Sequence, residues 1–154
     1  AILPEVMAAA RMLDEDWGVG SEVWSATSYS ELARDARAIE RANRLDPLGE
    51  QKTSHVAACL PGRAPIVAAS DYVRAWPQLI ASYVDARLIA LGTDGFGRSD
   101  TRPALRSFFE VDRRNIVVAA LTALADDGRL DRRTVAEAIA RYGIDARAAA
   151  PWTI

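Results

Sequence analysis

This chain of 154 residues has one histidine, one cysteine and, among its 19 basic side chains, one lysine, Lys52. Each scarcity excludes a class of chemistry. His55 alone cannot build a metal site that needs two or three imidazoles. It stands in an apolar run and reads as a packed or partly exposed residue, not a catalyst. Cys59 alone forms no internal disulfide, which fits a reducing, cytoplasmic setting, and it reads as a small core residue. The sequence has no Cys-x-x-Cys, no Gly-x-Ser-x-Gly nucleophile elbow and no Gly-Lys-Ser/Thr phosphate loop. No apolar run approaches the roughly 18–20 residues that span a bilayer, and no signal peptide is visible. A net charge of -2 gives no electrostatic reason to expect nucleic acid or a membrane surface as partner. The arginines alternate with acids, as in Arg34-Asp35 and Asp131-Arg132, and read as solvated helix faces.

What remains is the composition of one soluble domain, 50% hydrophobic and 26% charged. A domain of this length buries roughly 70% of its unfolded surface and needs no staple. Leu3, Val6, Met7, Ala10, Leu13 and Trp17 recur at helical spacing, which predicts a helix over 2–16 closed by Gly18 and Gly20. Residues 21–26 read as a short strand. Ser28 and Glu31 form a capping-box pattern opening a helix that ends near Leu45. Two short apolar runs, 55–60 and 65–69, flank a Pro61-Gly62 turn, and Ile66–Ala69 is the better strand. Ser70-Asp71 can cap a helix through about Val84 that Pro77 must kink or divide. Arg87–Leu91 reads as a strand, and three helices follow over about 101–110, 112–128 and 131–143. Strands separated by such helices imply a mostly parallel sheet with helices on both faces. The first helix lacks the strand that should precede it, and the chain enters an amphipathic pattern at once. We therefore expect a fragment of a longer protein, with one or two strands of its sheet upstream of residue 1.

The segment with most to say runs from Gly92 to Asp100, after a strand and before a helix. Open parallel sheets place ligand crevices at the carboxyl ends of their strands. The residues leave three readings open. The glycines can serve a tight turn with Asp100 as helix cap. The next helix's free N–H groups can receive an anion beside Arg98, as in a free-standing flavodoxin-like ligand-binding module. Or the loop can be an interface, because Phe96 between Gly95 and Gly97 cannot easily bury itself and needs a pocket. An exposed Phe96 would mark a contact surface.

Here the sequence resembles a known family. Leu91-Gly92-Thr93-Asp94-Gly95-Phe96-Gly97-Arg98-Ser99-Asp100 is similar to a segment near the C-terminus of homodimeric pyruvate dehydrogenase decarboxylase components. The likeness extends through Gly18–Ser28, Glu31–Asp35, Pro65–Tyr72 and Phe109–Asp112, in order and over nearly the whole chain. The resemblance implies that residues 1–154 are the third of three α/β domains, a transketolase C-terminal-like three-layer α/β/α sandwich with a mixed five-stranded sheet. It implies a thiamine-diphosphate- and Mg-dependent full-length enzyme that decarboxylates pyruvate and acetylates a lipoyl group. The implied partners are the upstream domains of the same chain, a second subunit of a homodimer and the dihydrolipoyl acetyltransferase core. The family's cofactor motif, Gly-Asp-Gly with a later Asn-Asn, is absent: Asp94-Gly95 follows Thr93, and no Asn-Asn pair exists. No catalytic, cofactor-binding or metal residue is therefore expected in this fragment. Asp94, Gly95, Phe96, Gly97, Arg98, Ser99 and Asp100 are expected to line an interface or the mouth of the active site.

Overall fold

The computed structural model describes all residues, 1–154. Its elements run in the order α1 (Leu3–Trp17), α2 (Tyr29–Leu45), α3 (His55–Cys59), β1 (Ile66–Ala69), α4 (Ala75–Gln78), β2 (Leu88–Leu91), α5 (Arg102–Phe108), α6 (Arg113–Asp126) and α7 (Arg132–Arg141). Short 3-10 turns cover Ala81–Tyr83 and Pro151–Thr153. The long helices begin where short polar side chains cap them. Ser28 accepts from the Glu31 N–H at 3.3 Å, Asp112 from Asn115 at 3.0 Å and Asp131 from Arg133 at 2.8 Å. The expected capping box is only half formed, because the Glu31 carboxylate turns to Arg34.

Strands β1 and β2 pair in parallel, Ile66 opposite Leu88 and Ala69 opposite Leu91. The alternation of side chains along each strand assigns the two faces. Val67, Ala69 and Leu91 pack on a core of Ala9, Leu13, Ile116, Val117, Leu121 and Ala138, contributed by α1, α6 and α7. Leu88 packs on a second core of Ala33, Ala36, Val56 and Ile80, built by α2, α3 and the turn after α4. Helices thus cover both faces, and the chain has the expected α/β/α layering. A polar seam ties α1 to α7. The Trp17 indole N–H donates to the Tyr142 hydroxyl at 2.7 Å, which donates to Asp16 at 2.7 Å. Burial, and the hydrogen bond to Asp16, push the Tyr142 hydroxyl pKa upward.

Four expectations are corrected. Residues 21–26 form no strand and are exposed throughout. A strand exists only through its neighbour's hydrogen bonds, and none lies beside this segment. The first apolar run is the short helix α3, begun by Ser54, whose hydroxyl accepts from the Ala57 N–H at 3.4 Å. The helix expected over 71–84 is broken into α4 and a 3-10 turn. Pro77 lacks a donor N–H, and the backbone before it is engaged elsewhere: the Tyr72 carbonyl accepts from Thr93 at 2.9 Å and the Arg74 N–H donates to Asp94 at 3.3 Å. The sheet has two strands where the sequence suggested three or four.

Candidate functional site

The 92–100 loop leaves the carboxyl end of β2 and crosses the end of β1. Two glycines let it lie there. A Cβ on Gly92 would stand 2.5 Å from the Tyr72 carbonyl oxygen and 2.6 Å from the Arg74 nitrogen, so the close approach excludes any side chain. Gly95 has φ +111°, and a Cβ there would also meet Pro151 and Trp152 backbone within 3 Å. The loop is anchored at its start. Asp94 binds the Arg74 side chain and backbone N–H, and the Arg74 guanidinium lies 4.7 Å over the Trp152 ring. Asp100 accepts from the N–H of its neighbour Thr101 at 2.7 Å, and Thr101, not Asp100, is the residue that caps α5, accepting from Ala104. Between them, Arg98 turns back over the Phe108 ring at 4.3 Å. Phe96 points outward and is 78% exposed. Gly97 has open space around it, and Ser99 and Asp100 are exposed.

The loop walls a hollow of about 400 Å³ together with Asp71, Arg102, Leu105, Arg106 and Phe109. Its floor is an ion network centred on the buried Arg106. Arg106, 9% exposed, donates to Asp71 at 2.9 and 3.1 Å and to the Ala1 carbonyl at 2.8 Å, and lies 3.7 Å from Glu5. Glu5 also accepts two guanidinium bonds from Arg113, at 2.9 and 3.0 Å. The Arg113 hydrogen bond holds the Glu5 carboxyl below its ordinary value of 4.5, against burial. The same pairs raise the pKa values of Arg106, chiefly through Asp71, and of Arg113, chiefly through Glu5.

The seven loop residues singled out in the sequence therefore lie together, but with different jobs: Asp94 is an anchor, Asp100 bonds only its neighbour's N–H, Arg98 stacks on Phe108 and Phe96 faces solvent. Sequence reasoning missed Tyr72, Trp76 and Trp152, which with Phe96 leave four large aromatics exposed at the end of the sheet that carries the loop. It also missed Arg106. A tryptophan in an irregular tail and a proline inside a helical pattern were the available signals. His55 and Cys59 lie elsewhere, on α3. The His55 N–H donates to Asp35 at 2.8 Å, and its ring Nε2 stands 3.5 Å from Cys59 Sγ. Cys59 is half-buried and lies outside both cores, contrary to its expected core role.

Residues 1–112 match the family model for the transketolase-like C-terminal domain. The chain belongs to that family. Across all 154 residues it is 49% identical to the pyruvate dehydrogenase E1 component of Cupriavidus necator, a match covering 99% of this chain and 17% of that protein. It is 52% identical over 146 residues to the E1 component of Pseudomonas aeruginosa and 48% identical over 147 residues to that of Escherichia coli K12. These matches cover 94% and 95% of this chain, but 17% and 16% of the relatives. The chain thus spans about one sixth of the length of the relatives it matches. The transketolase-like C-terminal domain seen here does not fit a magnesium–diphosphate group. Such a group needs oxygen donors converging on one point. Asp94 is held by Arg74 and Asp100 by the Thr101 N–H, and no three His, Cys, Asp or Glu side chains converge.

Proposed function

We propose that the chain is the C-terminal domain of a pyruvate dehydrogenase E1 component and that it serves structure and assembly, without a catalytic centre. The full enzyme, on this reading, is a cytoplasmic homodimer that uses thiamine diphosphate and Mg in its upstream domains. It decarboxylates pyruvate and passes the two-carbon unit to a lipoyl group on the acetyltransferase core. The 94–100 loop meets a neighbouring domain or the second subunit. One observation carries the assignment: about half of the aligned residues are identical, over 99% and 94% of the chain, to the E1 components of Cupriavidus necator and Pseudomonas aeruginosa. Phe96 supports the role of the loop. Asp94 ties the loop to Arg74 two residues before Phe96, yet the Phe96 ring is left in water. An apolar ring presented on a fixed loop suits a pocket in another surface.

The test is Phe96→Ala in the full-length enzyme. Dimerisation measured by sedimentation should weaken by roughly 3–5 kcal/mol if the partner buries the ring fully. An unchanged dissociation constant counts against the interface role. A titration of the isolated chain with thiamine diphosphate and Mg should show no tight uptake; tight, magnesium-dependent binding overturns the assignment of the chemistry to upstream domains. The second reading, an anion-binding module, draws on Arg98 and Arg102 at the hollow. It has less support, because Arg98 is stacked on Phe108, Arg106 is paired with Asp71, and the Thr101 and Ala104 N–H groups at the start of α5 are already taken by Asp100 and Thr101.

A further inference from the structure

The outward face of α2 and the turn that follows it present unpaired cations beside an exposed apolar side chain. We propose that this surface docks an acidic segment of another polypeptide, whose carboxylates meet Arg37, Arg41 and Arg44 and whose apolar side chains close over Leu48. The surface is separate from the 92–100 loop, since none of these residues lines the hollow there. The inference does not depend on the enzyme assignment.

Three observations lead there. First, charges that alternate along the sequence are sorted by the helix. Each residue advances by about 100°, so Arg34, Arg37, Arg41 and Arg44 fall within an arc of about 80°. The carboxylates of α2 lie outside that arc, Glu31 and Asp35 on one flank and Glu40 on the other. Glu31 is paired with Arg34, and Asp35 accepts from the His55 N–H at 2.8 Å. Arg37, Arg41 and Arg44 are exposed and have no carboxylate partner. At about 1.5 Å per residue they mark out a cationic row about 10 Å long.

Second, an apolar side chain is held in water at the end of that row. Leu48 is 99% exposed, and Leu45, beside the arginines, is 62% exposed. The turn that carries Leu48 is tied down. The Gly49 N–H donates to the Asp46 carbonyl at 3.2 Å, and the Gln51 amide donates to the Asp46 and Gly49 carbonyls at 3.2 and 3.3 Å. The Asn43 side chain donates to the Lys52 carbonyl at 2.8 Å and accepts from the Lys52 N–H at 2.9 Å. Leu48 is thus presented on a backbone with little conformational freedom left to lose on binding. The nearest acid is turned away: a Cβ on Gly49 would collide with the Asp46 carboxylate, which folds over the turn.

Third, the surroundings select the partner. The chain as a whole carries a charge of -2, so a long polyanion meets repulsion beyond the row. Residues 30–52 contain no aromatic ring on which a nucleic-acid base could stack. An anionic bilayer would face Glu40 and Glu50 together with the arginines. A second copy of this face would set arginine against arginine. A short polypeptide segment bearing both carboxylates and apolar side chains satisfies the row and the turn at once.

The test uses the full-length protein and two fluorescein-labelled probes, poly-glutamate and a random glutamate–leucine copolymer, followed by fluorescence anisotropy. The copolymer should bind more tightly than poly-glutamate. Combining Arg37→Glu, Arg41→Glu and Arg44→Glu should weaken both probes about tenfold at about 0.01 M salt. That difference should vanish at about 1 M salt, where screening acts within about 3 Å. Leu48→Ser should weaken the copolymer about fivefold and leave poly-glutamate unchanged. Equal binding by the parent and the charge-reversed protein overturns the proposal, as does a copolymer affinity that ignores Leu48→Ser. Tighter arginine-dependent binding of a single-stranded oligonucleotide or of phosphatidylglycerol vesicles also overturns it, because the surface then serves a different class of partner. If circular dichroism shows the triple variant misfolded, Arg41→Gln decides. Binding should then fall about threefold at low salt, and an unchanged affinity overturns the proposal.

Discussion

The two flanks of β1 differ sharply. On the α1–α6–α7 side, Leu121, Val117 and Ala138 are sealed from solvent, and Trp17, Tyr142 and Asp16 close the seam with hydrogen bonds. Along the strand's free edge, Val23 and Trp24 stand 41% and 54% exposed on a segment with no regular structure. Both regions carry apolar side chains, a helical stripe in α1 and the pair Val23 and Trp24 in the other. They differ in what each needs to be satisfied. A helix closes its own backbone hydrogen bonds and asks only for a surface to bury its stripe. A strand must receive its hydrogen bonds from a neighbour, so its apolar pattern alone cannot hold it in place.

That contrast can be broken or sharpened by mutation. The largest effect should come from Leu121→Ala on the packed flank, a loss of about 4 kcal/mol in chemical denaturation, since the side chain is fully buried at the junction of α1, α6 and α7. A cost below 1 kcal/mol would mean that the helices repack freely and that the flank is not rigid. Arg106→Met should cost about 2 kcal/mol, because it removes the guanidinium that bonds Asp71 and the Ala1 carbonyl, while Glu5 keeps Arg113. Tyr142→Phe removes one donor and one acceptor from the seam and should cost about 1 kcal/mol by the same measurement. At the exposed loop the expectation reverses. Phe96→Ala should leave the stability of the domain within about 0.5 kcal/mol of the parent, because its ring is already in water. A large loss there would show that the loop is a local anchor, not a contact surface.

The network beneath the loop also carries a pH signature. The folded state holds the Glu5 carboxyl below 4.5, so the folded chain binds its proton less readily than the unfolded chain. The associated stability is complete above 4.5 and is lost as pH falls through the lowered folded value. Glu5→Gln should flatten this acid limb while leaving the neutral-pH slope unchanged. An acid limb identical to the parent's would show that Glu5 is not one of its sources.

Much of this was legible residue by residue. The spacing of Leu3, Val6, Ala10 and Leu13 marked α1, and Ser28, Asp112 and Asp131 marked helix starts because capping is a local reaction between a side chain and the next few N–H groups. The Gly92–Asp100 segment stood out because glycines report places where backbone must come close to backbone. The helix expected over 71–84 failed for a reason no local reading contains: Thr93 and Asp94, twenty residues further on, take the hydrogen-bonding groups of Tyr72 and Arg74. Arg106 was likewise invisible, since its partners Glu5 and Asp71 are distant in sequence.

By itself, then, the sequence determined the helices, their caps, the α/β class and the one loop whose aromatic ring has nowhere local to go. Each of these depends on interactions within a few residues or on a repeating apolar pattern. The tertiary structure alone decided which carboxylate anchors that loop, which helices cover which face of the sheet, and that residues 21–26 stand apart from it. Those outcomes depend on groups far apart in the chain meeting in space, which no local pattern encodes.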